Sequence, residues 1–136
     1  MVVDTSVLLA ALDAKDPRHP AAIAVLDGHA TGAPILPAPI LGEVDYWLRK
    51  RGLGGAWTAL CEDIAASVYV LHDLTPSALL DVARLQAKYA DLRIGFVDAA
   101  VFLTCVVLDD DTVASFDRRH FSVLRTEDGR ALEIVP

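Results

Sequence analysis

The chain has 136 residues, 54% of them hydrophobic and 23% charged, so it is long enough to bury a core and too apolar for an intrinsically disordered protein. Its formal net charge of −7, from 12 basic and 19 acidic residues, speaks against general affinity for nucleic acids, which normally shows as a basic surface. Two cysteines are too few for a disulfide scaffold, and their spacing is not that of a metal site.

These features predict a single cytoplasmic domain over residues 1–136, with no membrane segment. The chain opens MVVDTS, without the basic segment of a signal peptide. Its longest apolar run, Ile94 to Leu108, is shorter than the roughly 20 residues that span a bilayer. Cys61 and Cys105 both lie in apolar stretches, which predicts buried, reduced thiols.

The first elements in chain order are strands that alternate with helices, which is typical of an α/β fold with a parallel sheet. MVVD is predicted to be a short strand, and Thr5 to Leu12 follows as a helix. Asp16-Pro17 and Pro20 open a second helix that ends near Gly32. The predicted buried face of that helix consists of Ile23, Leu26 and Ala30. PILP is then a short second strand.

Two helices are predicted in the middle of the chain. Pro39 suits the first turn of a helix that runs to Arg51, and Gly52 just after basic residues is a typical C-terminal signature. The buried stripe of this helix is predicted to be Leu41, Val44 and Leu48. A further helix passes through Trp57, Leu60, Cys61 and Ile64 and leads to the strand SVYVL.

The last third of the chain repeats the alternation. Thr75-Pro76 predicts the start of a helix that ends at about Tyr89. Phe96 to Leu108 is long for a strand and ordinary for a helix, so we predict a buried helix there despite its one acid, Asp98. DTVASF then forms a strand, and EDGRALEIVP a turn and a final strand. The expected sheet is mainly parallel, with about four to five strands.

Four acids fall where strands end or helices begin. Asp4 closes the first strand, Glu43 lies one turn inside the helix that opens at Pro39, and Asp98 lies in the first turn of the buried helix. Asp117 directly follows DTVASF. Each acid alone is explained by helix capping or by the helix dipole. However, these positions share one edge of a parallel sheet, where ligands bind, so we expect the four carboxylates to converge.

Converging carboxylates require compensation. Two of them about 5 Å apart repel by roughly 3 kcal/mol at an effective dielectric near 20. Protons or a cation must offset this repulsion, and oxygen ligands without histidine or cysteine favour Mg²⁺ or Mn²⁺ over Zn²⁺. A metal held by carboxylates is typical of phosphoryl-transfer enzymes, so the pattern predicts metal-dependent hydrolysis of phosphodiesters.

The order of the motifs resembles a known family. VVDTSVLLAAL, LPAPILGEVDYWL, YADLRIGFVDAAVFLT and TVASFDRRHFSVLR with a terminal IVP resemble the PIN-domain ribonucleases, in particular the VapC-type toxins of bacterial toxin–antitoxin pairs. The resemblance covers essentially the whole chain. It implies a PIN-like α/β/α sandwich, an endoribonuclease toxin of a type II system that depends on Mg²⁺ or Mn²⁺, and a homodimer. It also implies a small VapB-type antitoxin that covers the acidic crevice.

The resemblance assigns roles to particular residues. The catalytic acids would be Asp4, Glu43, Asp98 and Asp117, and the metal ligands Asp4, Asp98 and Asp117. Accessory roles fall on Thr5, Ser6, Asp91 and Ser115, where serine replaces the threonine usual in the family but keeps its hydroxyl.

RNA binding is predicted for two basic clusters, although a solvated surface explains them equally well. These clusters are Arg49, Lys50 and Arg51, and Arg118 and Arg119. His120 is expected to be structural or to contact the edge of the RNA rather than to act as a base. The aromatic residues expected in the core are Trp47, Trp57 and Phe121.

Three other functions are considered. An aspartate-nucleophile phosphatase fits the acid after the first strand, but Ser6 stands where a second acid is expected, and no lysine lies at a convincing strand end. A structure-specific DNA nuclease fits the four acids, although such chains are usually longer and more basic. A non-catalytic PIN-like interaction module would lack one of the acids, and none is missing here.

Overall fold

The computed structural model describes residues 1–29 and 32–136. Its strands are β1 (Val2–Val3), β2 (Ile35–Pro37), β3 (Val70–His72), β4 (Thr112–Ala114) and β5 (Glu133–Val135). Its α-helices are α1 (Thr5–Leu12), α2 (His19–Asp27), α3 (Ile40–Lys50), α4 (Gly54–Ala65), α5 (Ala78–Lys88), α6 (Phe96–Leu108) and α7 (Arg118–Phe121), with a 3₁₀ helix at Ala90–Leu92.

The five strands form one parallel sheet in the order β3-β2-β1-β4-β5, flanked by helices. The chain therefore starts in the middle of the sheet, moves outward to β3, and returns to the other side of β1 through β4. In open parallel sheets, ligands bind beyond the carboxyl ends of the strands at such a reversal of strand order. The α/β fold with a parallel sheet is confirmed, and the sheet has five strands.

Several helices have the bounds that the sequence predicted. α1 and α6 agree with the prediction at both ends, and α3 differs by one residue at its end. Gly52, just after α3, has a φ of 73°, the left-handed conformation that glycine adopts at little cost. Local signals were sufficient here, because Asp4 caps α1, Pro39 precedes α3, and α6 coincides with a long apolar run.

Two elements differ from the prediction. α2 ends at Asp27, where Gly28 stops it, rather than near Gly32, and its buried residue is Ala22 instead of Ile23. Ala30, which was predicted on its buried face, lies outside the described residues. The strand predicted over SVYVL begins only at Val70, because the preceding residues form the turn that ends α4. There the N–H of Val68 donates to the carbonyl of Asp63, and Ser67 has a φ of 62°.

The core contains β1, the middle of the sheet and α6. Val2 and Val3 are fully buried, as are Ala99, Ala100 and Val101 in α6. In the described residues, no helix is long and apolar enough to cross a membrane. Phe121 and Cys105 are buried as predicted, and Trp57 packs partly buried against the core.

Two further burial predictions were wrong. Cys61 is exposed, and Trp47 is 39% exposed. Cys61 follows Leu60 in α4, and Trp47 precedes Leu48 in α3. Both leucines are fully buried. Neighbouring helical residues point about 100° apart, so a helix that buries a narrow stripe leaves the next residue near the surface.

Candidate active site

A pocket of about 250 Å³ opens beyond the carboxyl ends of β1 and β4. Its lining includes all four acids that the sequence singled out, although they come from four separate segments of the chain. The lining residues are Asp4, Thr5, Ser6, Leu9, Arg18, Glu43, Asp98 and Asp117. The parallel topology therefore brings the predicted acids together at the reversal of strand order.

Asp4 is buried and is held by three hydrogen bonds to one of its oxygens. Its Oδ2 accepts from the Ser6 N–H at 3.3 Å, from the Ser6 hydroxyl at 2.7 Å and from the Ser115 hydroxyl at 2.8 Å. The N–H bond is the N-cap of α1, so the capping role considered for this acid is also present. These donors fix the direction of the carboxylate.

The same two hydroxyls join the end of β4 to the start of α1. Ser115 Oγ accepts from the N–H of Asp117 at 2.9 Å, and Ser6 Oγ accepts from the N–H of Phe116 at 2.9 Å. Ser115 is fully buried. Each hydroxyl therefore donates to Asp4 and accepts from the segment that carries Asp117, which fixes the two acids relative to each other.

Glu43 is held by a residue of the neighbouring helix. It lies in the first turn of α3, where the helix dipole favours a negative charge. The hydroxyl of Thr5, at the start of α1, donates to Glu43 Oε2 at 2.9 Å. Thr5 is buried whereas Glu43 is exposed, so the glutamate reaches the pocket from its rim.

Asp98 lies in the first turn of α6 and contacts a histidine. Its Oδ2 is 2.9 Å from Nδ1 of His120 in α7, a separation that requires one proton between the two atoms. Burial raises the pKa of the Asp98 carboxyl; His120 opposes this shift and the charge of Asp4 adds to it, so that the pKa lies above its ordinary value. The ionised form of Asp98 therefore needs further compensation in the folded protein.

Asp117 follows β4 and caps α7. Its Oδ1 accepts from the N–H of Arg119 at 2.9 Å, and its side chain is exposed. Like Asp4, Asp117 both caps a helix and lines the pocket. α7 itself was not predicted from the sequence, because a helix of four residues carries too little periodicity to be recognised.

Three of the four carboxylates leave an oxygen open to a ligand. Among the described residues, hydrogen bonds reach only Oδ2 of Asp4, Oε2 of Glu43 and Oδ1 of Asp117, so the second oxygen of each is open to a ligand. Asp98 is contacted by His120 at Oδ2 and accepts from the backbone N–H of Gly95. In this part of the chain, no three histidine, cysteine, aspartate or glutamate side chains form a group that could hold a metal ion among themselves. Hard oxygen donors favour Mg²⁺ or Mn²⁺ by their chemistry, and Mg²⁺ usually keeps several of its waters and takes only one or two carboxylates directly.

The predicted RNA-binding residues lie outside this pocket lining and have partners elsewhere. Arg49 pairs with Asp45 at 2.7 Å, and the ammonium of Lys50 lies 4.8 Å from the ring centre of Trp47. Arg51 donates to Asp13 at 3.1 Å. Arg49 and Lys50 lie in the last turn of α3 and Arg51 caps its end, whereas Glu43 is in the first turn.

The remaining predicted residues, Arg118, Arg119 and Asp91, do not line the pocket either. Nη2 of Arg118 donates to the carbonyl oxygen of Pro136 at 2.6 Å, so this guanidinium is held against the end of the chain. Arg119 is exposed. Asp91 is exposed on the 3₁₀ helix and does not line the pocket.

Sequence reasoning missed two lining residues, the apolar Leu9 and the charged Arg18, and only Arg18 is polar. It lies between α1 and α2 in the segment DPRH, where it precedes the first residue of α2. Its position in the pocket depends on the packing of that segment against Phe116, which is far away in the sequence. The only local signal was Asp16, two residues earlier, which is a suitable ion-pair partner for an arginine.

Comparisons with known proteins agree with this geometry. The sequence model described as the PIN domain matches residues 1–126. The chain is 33% identical to Ribonuclease VapC26 of Mycobacterium tuberculosis (strain ATCC 25618 / H37Rv) over 136 residues, which cover 100% of both proteins. Its fold is similar to the crystal structure of VapC20 of M. tuberculosis, a sarcin–ricin loop cleaving toxin. That similarity has a TM-score of 0.78 at 23% identity and covers 86% of this chain and 89% of the other.

Proposed function

This chain belongs to the PIN-domain family, as its sequence motifs predicted, and we propose that it is a metal-dependent endoribonuclease toxin of a type II toxin–antitoxin system. The observation that carries the proposal is the pocket itself. Four carboxylates from the ends of β1 and β4 and the starts of α3 and α6 line one pocket at the reversal of strand order. The 33% identity to a ribonuclease over the full chain supports RNA as the substrate.

We propose Mg²⁺ or Mn²⁺ as the cofactor, which Asp4, Asp98 and Asp117 would hold partly through water molecules, because no three such side chains in the described residues form a group that binds an ion directly. When bound, such a cation activates a water molecule and stabilises the charge that develops on the phosphate. Ser6 and Ser115 keep Asp4 in a fixed orientation for this ion. His120 contacts Oδ2 of Asp98, so the orientation of this carboxylate would be fixed before an ion binds.

Glu43 has a different role in the proposed reaction. Thr5 holds one of its oxygens at the rim of the pocket, and the other is free to accept a proton from the attacking water. Asp4, which follows β1, and Asp98, in the first turn of α6, would hold the cation, so that the attacking water and the stabilising charge meet the phosphate together.

The proposal extends to partners, domain and location. We propose that residues 1–136 act as one PIN domain in the cytoplasm, that the chain forms a homodimer, and that a VapB-type antitoxin covers the pocket. The name of the 33% identical relative supports an antitoxin partner. Light scattering of the purified chain tests the dimer, and co-purification with the product of the neighbouring reading frame tests the antitoxin.

The proposed activity is tested with three substrates in parallel. The purified chain is incubated with total RNA, a DNA flap and p-nitrophenyl phosphate, each with Mg²⁺, Mn²⁺ or EDTA. We expect RNA cleavage with either cation and none with EDTA. Cleavage of the flap alone would replace the proposal by a DNA nuclease, and turnover of the phosphomonoester alone by a phosphatase. Inactivity on all three, by a folded protein, would favour a non-catalytic module.

A further inference from the structure

We propose that Arg18 is an RNA-binding residue that contacts a backbone phosphate at the acidic pocket, and that Asp16 and Phe116 hold it in position. The inference rests on the proposed ribonuclease function and deepens it. It assigns the contact with the RNA phosphate to an arginine outside the two basic clusters predicted from the sequence, residues 49–51 and 118–119.

Arg18 is held on two sides. Its Nε donates to Asp16 Oδ1 at 3.0 Å and its Nη2 to Asp16 Oδ2 at 2.9 Å, which is a bidentate pair. The guanidinium carbon also lies 5.0 Å from the ring centre of Phe116, within the range of cation–π attraction. The guanidinium therefore has a fixed direction before any ligand binds.

Asp16 is suited to this positioning role. Only 6% of its side chain is exposed, whereas 46% of that of Arg18 is exposed. The hydrogen bond from Arg18 lowers the pKa of Asp16 to about 2, against the opposing effect of burial. Nη1 of Arg51 also lies 3.8 Å from Asp16 Oδ2, so a second positive charge stabilises the same carboxylate.

The clamp leaves part of the guanidinium available. An arginine has five N–H donors, and the pair with Asp16 uses two of them. The two N–H groups of Nη1 have no acceptor among the described residues. A planar guanidinium with a free edge is well suited to a phosphate, which accepts two parallel hydrogen bonds.

The position of this free group favours a phosphate rather than a purely structural ion pair. Arg18 is the one basic side chain among the described residues that line the pocket, against four carboxylates. The lining thus has a formal charge of about −3, which one divalent cation reduces to about −1. An RNA strand would still be repelled, and Arg18 places a positive charge where the strand must approach.

Phe116 connects Arg18 to the catalytic geometry. Its ring lies under the guanidinium, and its N–H donates to Ser6 Oγ, which in turn donates to Asp4 Oδ2. A movement of the segment Ser115–Asp117 would therefore shift Arg18 and Asp4 together. This coupling keeps the distance between the phosphate contact and the acids constant.

The test compares Arg18→Ala and Arg18→Lys with Arg84→Ala. Arg84 is a matched control, because it also pairs with a nearby aspartate, Asp81 at 2.9 Å, but lies outside the pocket of the four acids. We expect Arg18→Ala to raise KM for RNA about tenfold or more with little change in kcat, the pattern of a contact made in both ground and transition states. Arg84→Ala should change neither constant.

Salt dependence gives a second readout, with a fluorescein-labelled single-stranded RNA of mixed sequence and Ca²⁺ in place of Mg²⁺. Loss of one phosphate contact lowers the slope of log Kd against log salt by about 0.7. Arg18→Ala should show this decrease, and Arg18→Lys should keep the slope but bind more weakly, because lysine lacks the fork that Asp16 orients. Asp16→Asn should also weaken RNA binding. The effect of combining it with Arg18→Ala should differ from the sum of the two single effects.

Failure of the inference and failure of the proposed function give different results. If the wild type neither binds nor cleaves RNA, the ribonuclease proposal fails. If the wild type cleaves RNA and Arg18→Ala has an unchanged KM and salt slope, Arg18 does not contact a phosphate. Mn²⁺ titration addresses misfolding, since a folded Arg18→Ala protein should bind Mn²⁺ at least as tightly as the wild type. If Arg18→Ala fails to bind Mn²⁺ and Arg18→Lys retains the wild-type KM, the role of Arg18 is structural.

Discussion

Replacing Ser115 by alanine removes one buried hydroxyl that contacts two of the proposed catalytic acids. The hydroxyl donates to Asp4 Oδ2 at 2.8 Å and accepts from the N–H of Asp117 at 2.9 Å. Loss of a hydrogen bond to an ionised group costs about 1.5–3 kcal/mol, and an unsatisfied N–H adds about 1–3 kcal/mol. Because water can partly replace these bonds, we expect the free energy of unfolding to fall by about 2–4 kcal/mol.

Two assays measure the effect of this substitution. Thermal unfolding should show a decrease in Tm on the order of 10 °C for a chain of this size. RNA cleavage should show a lower kcat, since Asp4 loses one of the donors that orient it. Ser115→Thr keeps the hydroxyl and should keep most of the activity, and Ser122→Ala removes an exposed serine as the matched control. If Ser115→Ala melts and cleaves RNA like the wild type, the hydroxyl does not position the acids.

Three further predictions concern charge and exposure. Asp98→Asn should abolish cleavage yet preserve or raise Tm in EDTA. The reason is that burial disfavours the ionised carboxyl of Asp98 and raises its pKa. A large decrease in Tm would contradict this. Asp16 has a pKa lowered to about 2, so the stability that it adds is complete above the ordinary value of 3.8 and is lost as the pH falls towards 2. Urea unfolding at neutral and acid pH should therefore show a smaller loss in Asp16→Asn than in the wild type, and equal losses would refute the role of this ion pair. Ellman's reagent should modify Cys61 rapidly and Cys105 only on unfolding. Cys61 is exposed, whereas burial raises the pKa of the Cys105 thiol to about 12. Rapid reaction of both thiols would contradict the fold.

The sequence predicted the pocket because its acids follow a topological rule. Asp4 and Asp117 end neighbouring parallel strands, and Asp98 begins a helix, so knowledge of the alternation of strands and helices was sufficient to bring them together. The bounds of α6 were predictable for a local reason, since a long apolar run that ends in polar residues admits few alternatives.

The contacts around the acids were not predictable in the same way. The pair of His120 with Asp98 and the contact of Arg18 with Phe116 join residues that are distant in sequence and close only after folding. No periodicity encodes such contacts. The exposure of Cys61 and Trp47 shows the related difficulty within helices, where one residue of offset changes the side that a side chain faces.

The most direct test of the shared acidic site is a calorimetric titration with Mn²⁺. The wild type, Asp4→Asn, Asp98→Asn and Asp117→Asn are compared with Asp81→Asn, which removes an exposed acid in α5 outside this pocket. We predict that the wild type and Asp81→Asn bind Mn²⁺ equally and that each pocket variant loses most of its affinity and its RNA cleavage. Equal Mn²⁺ binding by the wild type and all three pocket variants would contradict a cation held by these carboxylates.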